Sequence, residues 1–156
     1  MIRPTSRVRI LALVVAVLAA VTVSPAAARK RSSADDATLT SVLVHAAAMA
    51  VILEGKLDAP KSALDALEAY KKKHGKAIRK ALTRVFAIRG ELDEPLRAEW
   101  DRALGTSTEA TRLIVAIFTF SNKHAEDAAT KARFDAMLAD LAAELGKAEA
   151  AGKAKG

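Results

Sequence analysis

The sequence predicts an all-α protein, a bundle of four to six helices that follows a cleaved N-terminal signal peptide. Three observations lead there. Alanine, leucine and lysine dominate, only 4% of residues are aromatic and β-branched runs are short, so helix formers outnumber strand formers. Beyond residue 36, apolar residues recur at spacings of three and four, the period of a helix with one buried face. The first 28 residues, finally, have the order of an export signal and not of a folded domain.

Arg3, Arg7 and Arg9 give that segment a positive start, with no acid before Asp35. Ile10 to Val23 is a 14-residue apolar run broken only by Thr22. At about 1.5 Å per residue the run falls well short of the ~30 Å hydrocarbon core of a bilayer. Ser24 and Pro25 stop it, and Ala26-Ala27-Ala28 supplies the small-residue exit that a signal peptidase reads. The arginines are not adjacent, as a twin-arginine signal requires, and without cysteine the cleavage point has no site for a lipid anchor. Cleavage after Ala28 is the expectation, with a periplasmic or secreted product that is not transmembrane.

The 128 residues from Arg29 onward suffice for one domain with its own core. Removing three arginines and no acid lowers the formal charge from +7 to +4, so much of the basicity belongs to the signal. Three further cations, Arg29-Lys30-Arg31, lie in a leader (29–36) expected to be flexible. A nucleic-acid binder has a stronger, organised positive footprint, so nucleic acid is not an expected partner. The absence of cysteine excludes disulfides, thiolate metal sites and covalent c-type haem attachment. No cofactor is expected.

Within the domain (37–145), helix one should run from about Ala37 to Glu54 and stop at Gly55. Asp58 can cap helix two, with Pro60 in its first turn, and "KKKHG" (71–75) closes it with cations at the negative end of the dipole and Gly75 as C-terminal cap. Helix three, Lys76 to Arg89, buries Ile78, Leu82, Val85 and Phe86 and ends at Gly90. Asp93 caps helix four, which carries Leu96, Trp100 and Leu104 on the same face as Leu92, and Gly105 stops it. "TSTE" (106–109) has the form of a capping box for helix five. Residues 107–145 could form one rod, but the polar "SNKHAEDAATK" (121–131) favours a turn. Helix six then packs Phe134, Met137, Leu138, Leu141 and Leu145, and the low-complexity tail 146–156 is expected to be disordered.

Two stretches break the amphipathic pattern. Residues 37–53 carry no charge apart from a protonatable His45, and "LIVAIFTF" (113–120) is apolar on every side. A helix apolar all round must be surrounded by its own bundle, by a partner chain or by lipid. Both stretches are shorter than the roughly 20 apolar residues that span a bilayer, and the first carries Thr38, Thr40, Ser41 and His45. Burial is therefore expected, with self-association into a homo-oligomer as a second use of these faces.

Two constellations stand out as candidate sites. Lys71, Lys72, Lys73, Lys76, Arg79, Lys80, Arg84 and Arg89 form a run with no acid between Glu68 and Glu91. Lys72, Lys76, Arg79, Lys80 and Arg84 are the expected contact residues, with Lys76, Lys80 and Arg84 at i, i+4, i+8 opposite Ile78, Leu82 and Val85. Such a ridge suits an acidic protein face or an anionic envelope lipid or polymer. Without interleaved aromatics it lacks the stacking platforms of a single-strand nucleic-acid binder. The other constellation, His45 and Met49 on one helix face with His124 to complete the set, has the soft ligands of a haem or copper site. Met49 also falls in the stripe Leu39, Val42, Leu43, Ala46, Ala50, Leu53, where methionine normally fills core gaps.

Catalytic motifs are missing: there is no glycine-rich phosphate loop, G-x-S-x-G, H-E-x-x-H or calcium loop. The acids of "GELDEP" (90–95) stand at a helix start, where acids belong anyway. The sequence therefore points to a non-enzymatic binding protein, with a haem- or copper-binding bundle as the alternative.

Overall fold

A computed structural model describes residues 30–154, and the expected signal peptide lies outside the described residues. These residues form five α-helices: α1 (Ser33–Gly55), α2 (Pro60–Glu91), α3 (Glu94–Gly105), α4 (Thr108–Lys123) and α5 (Ala128–Lys153), with no strand among them. The all-α bundle is as expected. Its segmentation differs in ways that matter for the site.

α1 begins four residues before the expected start. Ser32 and Asp35 form a capping box, the Asp35 amide donating to Ser32 Oγ (3.3 Å) and the Ser32 amide to Asp35 Oδ2 (2.9 Å). Much of the expected flexible leader is thereby drawn into the helix. Leu39, Ala46, Ala50 and Leu53 are buried along one face. At 23 residues, with a mean hydropathy of 1.7 over its most apolar 18-residue stretch, α1 is long and apolar enough to cross a membrane by length and composition. Here it packs between α2 and α4.

α2 departs furthest from the expected segmentation. Expected helices two and three are a single helix of 32 residues that runs straight through Gly75. A glycine inside a helix costs only about 1 kcal/mol relative to alanine. Buried residues on both sides of it, Ala63, Leu64 and Leu67 before and Leu82, Val85 and Phe86 after, outweigh that cost. Lys71 to Lys73 therefore lie mid-helix and not at a helix end. Asp58 does not cap the helix either: the cap residue is Ala59, with no side-chain hydrogen bond, and Asp58 pairs instead with Lys123.

The α2–α3 corner is held by Arg97, whose guanidinium donates to the carbonyls of Leu92 (2.7 Å) and Arg89 (3.3 Å) and so satisfies groups at the end of α2. Beside it the buried Arg89 forms a two-pronged pair with Asp101, both contacts 2.6 Å. Asp93 caps α3 as expected, accepting from the Leu96 amide (3.1 Å). At α4 the cap is Ser107, which accepts from Ala110 (3.2 Å), and not Thr106, whose hydroxyl turns back to the Arg102 carbonyl (2.8 Å). The break between α4 and α5 falls inside the polar stretch expected to turn, and Asp127 caps α5 through the amides of Ala129 and Thr130.

α5 runs to Lys153, through most of the tail expected to be disordered. The reason is packing: Ala148 is buried with Leu82 and Phe86, and Gly152 meets α2 where no side chain would fit. A Cβ on Gly152 would lie 2.7 Å from Phe86 Cβ and 3.0 Å from the Ala87 nitrogen.

α1 runs antiparallel to α2, since Leu39 clusters with Val85 and Ile88 while Leu53 clusters with Ala63 and Leu64. α5 runs parallel to α2, as the contacts of Arg133 with Asp65, Lys71 with Asp140 and Arg79 with Glu144 record in order. The core divides into three clusters: one around Leu53, Leu64, Phe120 and Phe134; a second around Trp100, Leu39 and Ile88; a third of Leu82, Phe86 and Ala148. Between the first and the third the helices leave a gap.

Candidate functional site: an apolar cleft with a basic rim

That gap is a cleft of about 710 Å³, bounded by α1, α2, α4 and α5. Each helix contributes an apolar wall: Met49 and Leu53 from α1, Leu67, Ile78 and Leu82 from α2, Leu113 and Ile117 from α4, and Phe134, Met137, Leu138 and Leu141 from α5. The charged groups on it are Glu68, Lys71, Lys72, Lys76 and Arg79 of α2 and Glu144 of α5. The fusion of two expected helices into one makes this possible. Residues 67, 68, 71, 72, 75, 76, 78, 79 and 82 form one unbroken stripe at helical spacing, which a break at Gly75 would have split.

The basic ridge expected from the sequence divides in two. Lys72, Lys76 and Arg79 line the cleft, whereas Lys80 and Arg84 do not. Lys76 therefore shares a wall with Ile78 and Leu82 and does not stand opposite them. Its aliphatic stem can cover apolar surface while the ammonium stays wet.

Ion pairing separates the cations further. Arg79 Nε reaches Glu144 at 2.6 Å, Lys71 reaches Asp140 at 3.2 Å, and Arg84 lies 3.7 Å from Glu91. On the opposing helix Arg133 holds Glu68 at 2.8 Å and Asp65 at 2.7 Å. Hydrogen bonds from Lys147 and Arg79 keep the Glu144 carboxyl below its ordinary range, so it stays ionised and holds Arg79. Lys72 and Lys76 are thus the cleft cations left without an ion-pair partner among the described residues.

The alternative ligand set is not assembled. His45 Nδ1 lies 2.7 Å from the Tyr70 hydroxyl, and the Tyr70 ring stacks at 4.4 Å from that of His74. His124 Nε2 lies 2.8 Å from the Leu57 carbonyl, beyond the C-terminal end of α1, with its ring against Phe120. The ten residues from His45 to the end of α1 at Gly55 span about 15 Å, so the two imidazoles serve separate seams. Met49 projects into the cleft. Among the described residues no group of three or more His, Asp or Glu side chains is arranged to hold a metal ion.

The His45–Tyr70–His74 cluster escaped the sequence reading because 25 residues separate His45 from Tyr70. Burial, and then the neighbouring His74, push the His45 imidazole below its ordinary value, while burial raises the Tyr70 phenol. A neutral His45 accepting from a protonated Tyr70 satisfies both groups.

The two apolar stretches are only half covered. Val44 and Val51 on α1 are 59% and 51% exposed, and Val115 and Phe118 on α4 are 57% and 48% exposed. Comparison of the chain with protein-family models, with curated proteins and with solved structures finds no match.

Proposed function

We propose that this is an exported, non-enzymatic binding protein whose ligand is an anionic component of the cell envelope. One observation carries the reading: Lys72 and Lys76, without ion-pair partners among the described residues, stand at the rim of an apolar cleft while their neighbours Lys71 and Arg79 are engaged by acids. Unpaired ammoniums beside apolar surface match a ligand with negative charge and hydrocarbon. The order of Arg3, Arg7 and Arg9, the apolar run and Ala26-Ala27-Ala28 supports export.

The test is sedimentation with vesicles of phosphatidylglycerol against vesicles of phosphatidylcholine. Retention is expected on the anionic vesicles alone, to fall as salt shortens the Debye length from about 10 Å at 0.1 M to about 3 Å at 1 M, and to be lost in Lys72→Glu/Lys76→Glu. Equal retention of wild type and variant at low salt would refute the reading.

The exposed Val44, Val51, Val115 and Phe118 favour a second copy of the chain as an additional partner. Sedimentation equilibrium should then find a dimer that Val44→Lys/Val115→Lys returns to monomer.

A further inference from the structure

We propose that the cleft is a binding site for a single-chain anionic amphiphile, a long-chain carboxylate whose hydrocarbon tail lies among the four helices and whose headgroup sits between Lys72 and Lys76. This rests on the reading that the unpaired lysines meet an anion, and it adds what the rest of the ligand must be.

The walls define the tail. A sugar, nucleotide or peptide needs polar partners along its length, and the polar side chains of this cleft all carry charge and belong to α2 and α5. The interior offers aliphatic side chains, one phenyl ring and two thioethers. Met49 on α1 and Met137 on α5 reach in from different helices. Methionine is unbranched and flexible, so these walls can adapt to a chain whose bonds rotate. A volume of about 710 Å³ lies within the usual range for small-molecule sites and suits one chain.

The rim defines the head. Arg79 is paired with Glu144 through its Nε and Lys71 with Asp140, so the charge of both is already met by an acid. What is offered is two point charges, on residues four apart and hence neighbours on the helix face. Two ammoniums so placed favour a compact carboxylate over a neutral alcohol of the same chain. Closely packed interiors are the rule and a gap between core clusters weakens packing. A tail that fills the gap should therefore stabilise the fold in proportion to its occupancy.

The test is calorimetric titration of the full chain with n-alkanoates from octanoate to hexadecanoate, each below its micelle concentration, and with the matching n-alcohols. One site per chain is expected, with affinity rising about fourfold per methylene until the cleft is full. Lys72→Gln/Lys76→Gln should weaken alkanoates about tenfold or more and leave the alcohols unchanged. Met137→Trp, which sets a bulky ring in the wall and narrows the cleft, should weaken the longer alkanoates most while retention on phosphatidylglycerol vesicles persists. Ile117→Trp narrows it from a different helix and serves if the first variant fails to fold by circular dichroism. Affinity independent of chain length, or unchanged alkanoate binding in the folded tryptophan variant, would overturn the site. Vesicle retention that still depends on Lys72 and Lys76 would in that case leave the anion reading standing.

Discussion

Replacing Gly75 by alanine should stabilise the protein, and the sign of the effect distinguishes one long helix from two. In the structure Gly75 is interior to α2, its φ is negative, and a Cβ built on it meets nothing within 4 Å. Alanine therefore gains the helix-propensity difference of about 0.5–1 kcal/mol with no clash to offset it. Unfolding about 125 residues changes entropy by roughly 0.26 kcal/mol/K, so the melting temperature should rise by about 2–4 °C. Were Gly75 instead the left-handed cap that its place after three lysines and a histidine suggests, alanine would cost about 1–2 kcal/mol and lower the melting temperature. Thermal unfolding followed at 222 nm decides between them. Gly146→Ala, also inside a helix with open space around its Cβ, should move in the same direction and serves as the control. A fall in melting temperature for Gly75→Ala alone would refute the continuous helix and, with it, the unbroken stripe that builds the cleft.

Gly152→Ala should do the opposite, because its Cβ would lie 2.7 Å from Phe86 Cβ; overpacking of about 1–3 kcal/mol exceeds the helix-propensity gain, and unchanged urea stability would contradict the docking of α5 on α2. Stability should also fall as pH drops below about 6.5, because the folded state resists protonating His45 while the unfolded chain does not. The loss is complete once pH passes below the lowered folded value, and His45→Gln should flatten urea midpoints compared between about pH 7.5 and 5.5. A rise in wild-type stability across that window would contradict the assigned direction.

Several boundaries that rest on local chemistry were legible in the sequence. Asp93 as a cap, Gly105 as a stop and the polar break before α5 all depend on residues within a few positions. The largest misreadings are those where distant packing outweighs a local signal, whereas the Ser32–Asp35 capping box at the start of α1 is a local signal that the leader's composition masks. Gly75 resembles a terminator, yet buried contacts on both sides carry the helix through it. The tail resembles a low-complexity linker, yet its small residues let α5 approach Phe86 closely. The site divides along the same line. The cations of residues 71–84 were legible as a run, but which of them are free depends on Asp140 and Glu144, more than sixty residues away. The cleft could not be read at all, since it exists only because α2 and α5 lie side by side in parallel.

The most direct test of the amphiphile site uses the methionines as reporters. The chain has three methionines, and two of them, Met49 and Met137, line the cleft from different helices. Selective ¹³C labelling of the methionine ε-methyl groups gives each a resolved signal by NMR. Titration with dodecanoate to equimolarity should shift both signals together and saturate at one ligand per chain, with much smaller shifts in Lys72→Gln/Lys76→Gln at the same concentration. Both methyl signals remaining in place while dodecanoate binds elsewhere, or failing to saturate, would contradict the assignment of the cleft as the site.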